Sequence, residues 1–209
     1  MSDLRDQLIA SARAMQPAGL NKGTSGNVSV RSGEGFYITP TGLPYESLTA
    51  DDIPLMALDG SHAGRCKPSS EWRFHRDLYA TRPEVGAVLH AHSPFAVSLA
   101  CLRRAIPPFH YMIARFGGDT IRCADYAIFG SPELSTAAMS ALQDRKACLL
   151  ANHGLLVAGR DLAEALTLAV ELEELCEQYW RACQLGEPVL LSVAEMAAVL
   201  DKFQSYGQQ

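Results

Sequence analysis

The segment VLHAHSP, Val88 to Pro94, sets two imidazoles, His90 and His92, one residue apart in an apolar run. On an extended chain, residues i and i+2 point to one face, so the pair can offer two nitrogen lone pairs to a single cation. Two core histidines bonded to backbone would look the same, and only a third donor separates the readings. ANHGLL offers one: His153 lies in a turn between apolar runs and is followed by Gly154, which lets backbone approach closely. Three protein ligands with one position left open is the usual set for a catalytic zinc. Glu71 lies in PSSEW. His75 follows four residues later on the same expected helix, and a structural ion pair between the two is the simplest role for it.

Three stretches are rich in small polar residues: NKGTSGN (Asn21 to Asn27), TPTG (Thr39 to Gly42) and PSSEW. Such loops expose backbone N–H groups that can hold an anion, and a helix opening at Ser69–Ser70 would add its N-terminus. Neither the P-loop nor the dinucleotide spacing is met. Each stretch alone is an ordinary turn; three in one chain point to an anionic substrate held without much positive charge.

These residues need a frame. A chain of 209 residues suffices for one substantial core, and a net charge of −5 gives no field to attract nucleic acid. No apolar run approaches a membrane span, and MSDLRDQLIASARAM reads as a polar-faced helix rather than a signal peptide. The six cysteines are scattered without a Cys-x-x-Cys pair and are expected as free thiols of a cytoplasmic protein. Helical spacing predicts a first helix over residues 3–16. NVSVR and FYITP alternate about SGEG as a hairpin, IPLMALDG is a further strand, and ACLLANHGLLVAG reads as strand, turn, strand. VGAVLHAHS reads as a strand feeding a helix through Ser93 and Pro94. Asp161 with Glu164, and Ser192 with Glu195, mark the last two helix starts. Irregular interleaving with hairpin joints predicts one α/β domain with a mixed, largely antiparallel sheet. PPFHYMIARFGG, taken by residue type alone, reads as buried aromatic core around Tyr111.

GLNKGTSGNVSVR, ITPTG, SSEWRFH, VLHAHSPFA, HYMIARFGG and NHGLLVAG, in this order, resemble the class II aldolase/adducin family, and the similarity runs from the first helix to the tail. That resemblance implies a three-layer α/β/α domain over residues 1–209 with a flexible tail at about 200–209. It implies zinc on His90, His92 and His153, with Glu71 as acid/base. Gly23, Thr24, Asn27, Thr41, Gly42, Ser69 and Ser70 fall on its phosphate-binding motifs. Tyr111 matches a tyrosine that enters the neighbouring site of a fourfold homotetramer, and Phe203 and Tyr206 match aromatics of a site-closing tail. The implied partner is a phosphorylated sugar, with no nucleic acid or membrane. The implied reaction is reversible cleavage of a ketose-1-phosphate to dihydroxyacetone phosphate and an aldehyde. Relatives with the same metal frame include pentulose-phosphate 4-epimerases and a methylthiopentulose-phosphate dehydratase, and adducin-type head domains are metal-free scaffolds. Retro-aldol chemistry suits the residues: a Lewis acid holds the charge left on C3, a carboxyl at Glu71 protonates that carbon, and no lysine Schiff base is required.

Overall fold

The computed structural model describes residues 3–204. Eight strands form one sheet: β1 (Asn27–Ser32), β2 (Gly35–Ile38), β3 (Leu55–Ala57), β4 (His62–Ala63), β5 (Ala87–Ala91), β6 (Arg122–Ala124), β7 (Ala147–Leu150) and β8 (Gly154–Gly159). Their order is β4-β3-β2-β1-β5-β8-β7-β6. Every pairing is antiparallel except β6 with β7. The helices are α1 (Leu4–Met15), α2 (Trp72–Thr81), α3 (Pro94–Ala100), α4 (Pro132–Ala141), α5 (Leu162–Leu185) and α6 (Val193–Gln204). Helices α1, α3 and α5 pack on one face of the sheet, and α2 and α4 on the other. This is the three-layer architecture expected.

The alternation of β5 sorts its residues between the layers. Ala87, Leu89 and Ala91 join the core under α1, α3 and α5, while Val88 joins the core under α2 and α4. All five residues are buried, as a strand covered on both sides requires. On β1, Val28 and Val30 take the first face, leaving Asn27 and Ser29 on the α2 side. The register pairs Asn27 with His90 and Ser29 with Val88. The polar residues of the two central strands thus collect beneath α2.

Three expectations need correction. Helix α2 begins at Trp72 with Glu71 at its N-cap, not at Ser69–Ser70. Ser69 instead donates its backbone N–H to Thr39, which ties the two loops together. Residues 200–204 belong to α6, and Tyr206 lies outside the described residues. Asp161 caps α5 as expected, accepting from the Glu164 N–H, but the Glu164 carboxylate returns to the Arg160 N–H rather than to that of Asp161 and pairs with Lys146. Tyr111 is not core; its ring is 50% exposed. All six cysteines are free, and no helix among the described residues is long and apolar enough to cross a membrane.

Candidate metal centre

His90 points from β5 toward α2, where Phe74 meets its ring edge-on. Its Nδ1 lies 2.8 Å from the Leu155 carbonyl oxygen, which can only accept. Nδ1 therefore donates, and Nε2 is turned inward toward the other imidazoles. His92 stands one residue beyond the strand, and its backbone N–H donates to Asn21 Oδ1. Its Nε2 lies 2.9 Å from that of His90. His153 arrives from the β7–β8 turn, where Asn152 adopts φ 54° and accepts a hydrogen bond from Arg103. Asparagine is among the few residues that tolerate this left-handed backbone. The three imidazole centroids are 4.7 to 4.8 Å apart, a nearly equilateral set.

Glu71 closes the group. Its Oε2 lies 3.2 Å from His90 Nε2 and its Oε1 3.3 Å from His153 Nε2. One ligand atom from each of the four residues falls within 4.8 Å of all the others. Oε1 is buried without any hydrogen-bond partner. An orphaned carboxylate oxygen facing inward-pointing imidazole nitrogens is costly in a dry interior, and a cation among them removes the cost. The donor set fits a single metal ion.

The electrostatics agree. Burial, then repulsion from His90, lowers His92 and His153 to about 4, so both imidazoles are neutral with lone pairs free at neutral pH. Burial alone would raise the Glu71 carboxyl, but His90, His153 and the Asn27 amide outweigh it and hold it at about 2. Burial takes His75 down to about 3. The unfolded chain binds protons at these histidines from about pH 6.5 downward, while the folded chain resists until about 4 and 3. Stability must then fall as pH drops from about 6.5, where only the unfolded state gains protons. The urea midpoint of metal-free protein is expected to decline between pH 7 and 5, above the carboxylate range. A flat midpoint across that interval would contradict the buried neutral histidines.

The remaining expected site residues fall into separate groups. Thr41, Gly42 and Ser70 are exposed on two loops joined by the Thr41 N–H to Lys67 and the Ser69 N–H to Thr39. Gly23 and Thr24 are exposed on the loop leading into β1. Asn27 is 2% exposed, with its amide donating to Glu71 Oε2 and accepting from His75. His75 therefore makes no ion pair with Glu71, because Asn27 stands between them. Tyr111 lies in a 3-10 segment, Tyr111–Phe116, packed against α6, with its ring nearly parallel to Phe203 at 6.5 Å.

Sequence reading missed Glu173. From α5 it accepts from the Ser93 hydroxyl and the N–H groups of Phe95 and Ala96, capping α3 directly after His92. It lies 80 positions from Ser93, and nothing in the local pattern signals it.

Three imidazoles and a carboxylate gathered at the end of the central strand β5 of a mixed α/β sheet define a protein built around one metal ion. The chain matches the class II aldolase and adducin N-terminal domain over residues 6–180, and it belongs to that family. A 5-methylthioribulose-1-phosphate/5-deoxyribulose-1-phosphate aldolase of Rhodospirillum rubrum is 55% identical, covering 98% of this chain and 92% of its own length. An L-fuculose phosphate aldolase of Escherichia coli strain K12 is 47% identical, covering 98% and 95%. A solved L-fuculose 1-phosphate aldolase aligns with a TM-score of 0.93 at 39% identity, over 98% of this chain and 97% of that one.

Proposed function

We propose that this chain is a zinc-dependent aldolase that reversibly cleaves a ketose-1-phosphate to dihydroxyacetone phosphate and an aldehyde. The observation that carries the reading is the convergence of His90, His92, His153 and Glu71 about an orphaned carboxylate oxygen. Kinship with aldolases of three sugar phosphates supports it. Those sugars share a C1 phosphate, a C2 carbonyl and hydroxyls on C3 and C4, and differ beyond C4. Zinc is the ion assigned, since it takes three imidazole ligands readily and leaves a position open. When bound, it supplies Lewis acidity at the carbonyl, which stabilises charge left on C3.

The chain's own residues move the protons. In cleavage the C4 hydroxyl loses its proton, the C3–C4 electron pair passes to C3, and C4 leaves as the aldehyde carbon. Net, one proton moves from the C4 oxygen to C3. Glu71 delivers the proton to C3, and in the reverse direction the ionised carboxyl removes it. Tyr111 of a neighbouring copy in a homotetramer meets the C4 oxygen. Its half-exposed ring, nearly parallel to that of the partly buried Phe203, supports that role. The phosphate is assigned to the loops carrying Gly23, Thr24, Thr41, Gly42, Ser69 and Ser70, with Asn27 bounding the first of them and its amide engaged by Glu71 and His75. Free thiols throughout suit a reaction in the cytoplasm.

The test is a coupled assay for dihydroxyacetone phosphate on L-fuculose, 5-deoxyribulose and 5-methylthioribulose 1-phosphates, each beside its unphosphorylated ketose. At least one phosphate ester is expected to release the triose phosphate, and its unphosphorylated form to need a much higher concentration. Epimer or dehydrated product without triose phosphate would replace the aldolase reading with an epimerase or dehydratase.

A further inference from the structure

Beneath the metal centre a continuous run of buried hydrogen bonds leads away from Glu71. Asn27 Nδ2 is 3.0 Å from Glu71 Oε2, and Asn27 Oδ1 is 2.5 Å from His75 Nε2. His75 Nδ1 is 2.7 Å from Ser29 Oγ, which is 2.8 Å from the Tyr79 hydroxyl. Asn27, Ser29, His75 and Tyr79 are each 2% exposed or less. No step of the aldolase reaction uses the outer three.

Only one arrangement of protons satisfies every atom. The ionised Glu71 carboxylate can only accept, so Asn27 presents its NH2 there and its carbonyl oxygen to His75. His75 must then donate from Nε2, which leaves Nδ1 as an acceptor. Ser29 fills that acceptor with its single proton, and Tyr79 donates to the Ser29 oxygen. Burial keeps the His75 ring neutral, as one donor and one acceptor require. The sheet builds this run: Asn27 and Ser29 share a face of β1, and His75 and Tyr79 are one helical turn apart on α2.

We infer that His75, Ser29 and Tyr79 are positioning residues that lock Asn27 in one amide orientation, pinning Glu71 by Oε2 beside His90 and leaving Oε1 without a hydrogen bond beside His153. An Asn27 side chain turned over would set its carbonyl oxygen against the carboxylate and push Glu71 out of place. The effect on catalysis rests on the aldolase reading; the polarity of the run does not. Because none of the three touches substrate, their loss should lower the turnover number and not raise the Michaelis constant.

The test combines imidazole-nitrogen NMR of histidine-labelled protein with solvent-deuterium exchange into dihydroxyacetone phosphate. The wild-type His75 is expected to carry its proton on Nε2, and Ser29→Ala to mix the two tautomers. Exchange at the carbon that becomes C3 should fall by ~10–100-fold in His75→Phe, the usual cost of losing an outer partner of a reactive site, with metal content intact. Ser29→Ala should fall less, and Tyr79→Phe least. A wild-type proton on Nδ1 would overturn the inference. So would wild-type exchange in Ser29→Ala despite scrambled tautomers, a result that does not depend on His75→Phe folding. The tautomer spectrum needs no substrate. A wild-type protein that yields no triose phosphate therefore sinks the aldolase reading and leaves the polarity standing.

Discussion

His92→Ala is expected to purify as a folded protein without its metal and to release no measurable dihydroxyacetone phosphate. The imidazole lies at the rim of the centre, just past β5 and outside both apolar cores, so its removal opens no cavity in either. What is lost is one of three nitrogens in a nearly equilateral set. Affinity for zinc should fall by more than the ~10–100-fold that accompanies loss of an outer partner alone. Elemental analysis after dialysis should read about one ion per wild-type subunit and close to none in the variant. His62, exposed on β4 and apart from the centre, is the control whose replacement leaves the metal in place. Full metal and full cleavage in His92→Ala would remove this residue from the centre.

Glu71→Gln is expected to keep the metal and lose the proton transfer. Three imidazoles remain to hold the ion, and the amide matches the carboxyl in volume. The amide cannot take a proton from carbon, so deuterium exchange into dihydroxyacetone phosphate should drop by ~10²–10⁴, the span general acid/base groups supply. Asn27 is held with its NH2 toward residue 71, so the new side chain must turn its carbonyl oxygen to Asn27 and its NH2 to the imidazoles. Any weakening of metal binding in this variant then measures how far the native Oε1 contributes to holding the ion. Exchange at the wild-type rate would assign the base to another residue.

The main frame was legible because its strands are long enough to show a period. β1 and β2 alternate about a tight turn, and β7 and β8 are apolar runs bracketing His153. β4 has two residues and β6 three, and neither was foreseen; β3, also three, was legible only through the Asp59-Gly60 turn that follows it. The histidine trio was readable from its spacing and from Gly154. The partners of Asn27 were not, because they depend on β1 lying beside β5 and on the way α2 crosses above both. Glu71 and His75 are four apart in sequence, which suggested a direct pair. The helix starts only after Glu71, and the Asn27 amide occupies the space between them. Tyr111 shows a limit of residue type: an apolar neighbourhood in sequence does not distinguish a ring packed inside from one left on the surface.

The strand that carries His90 is flanked by two glycines, and this bears on any effort to broaden the range of aldehydes by random mutagenesis. Gly26 has φ +82°, and a Cβ on it would stand 2.7 Å from the His90 carbonyl oxygen and 2.5 Å from the Asn21 amide. A Cβ on Gly154 would overlap the Ala91 carbonyl oxygen and crowd the His92 ring at 3.1 Å. Libraries that diversify the 21–26 loop or the 151–154 turn should hold these two codons constant, since even alanine there displaces a histidine before it can alter what the pocket accepts. In the same loop Gly23, at φ +68°, resists a side chain as Gly26 does, and Thr24 is assigned to the phosphate, so of the exposed positions there only Lys22 is open to diversity.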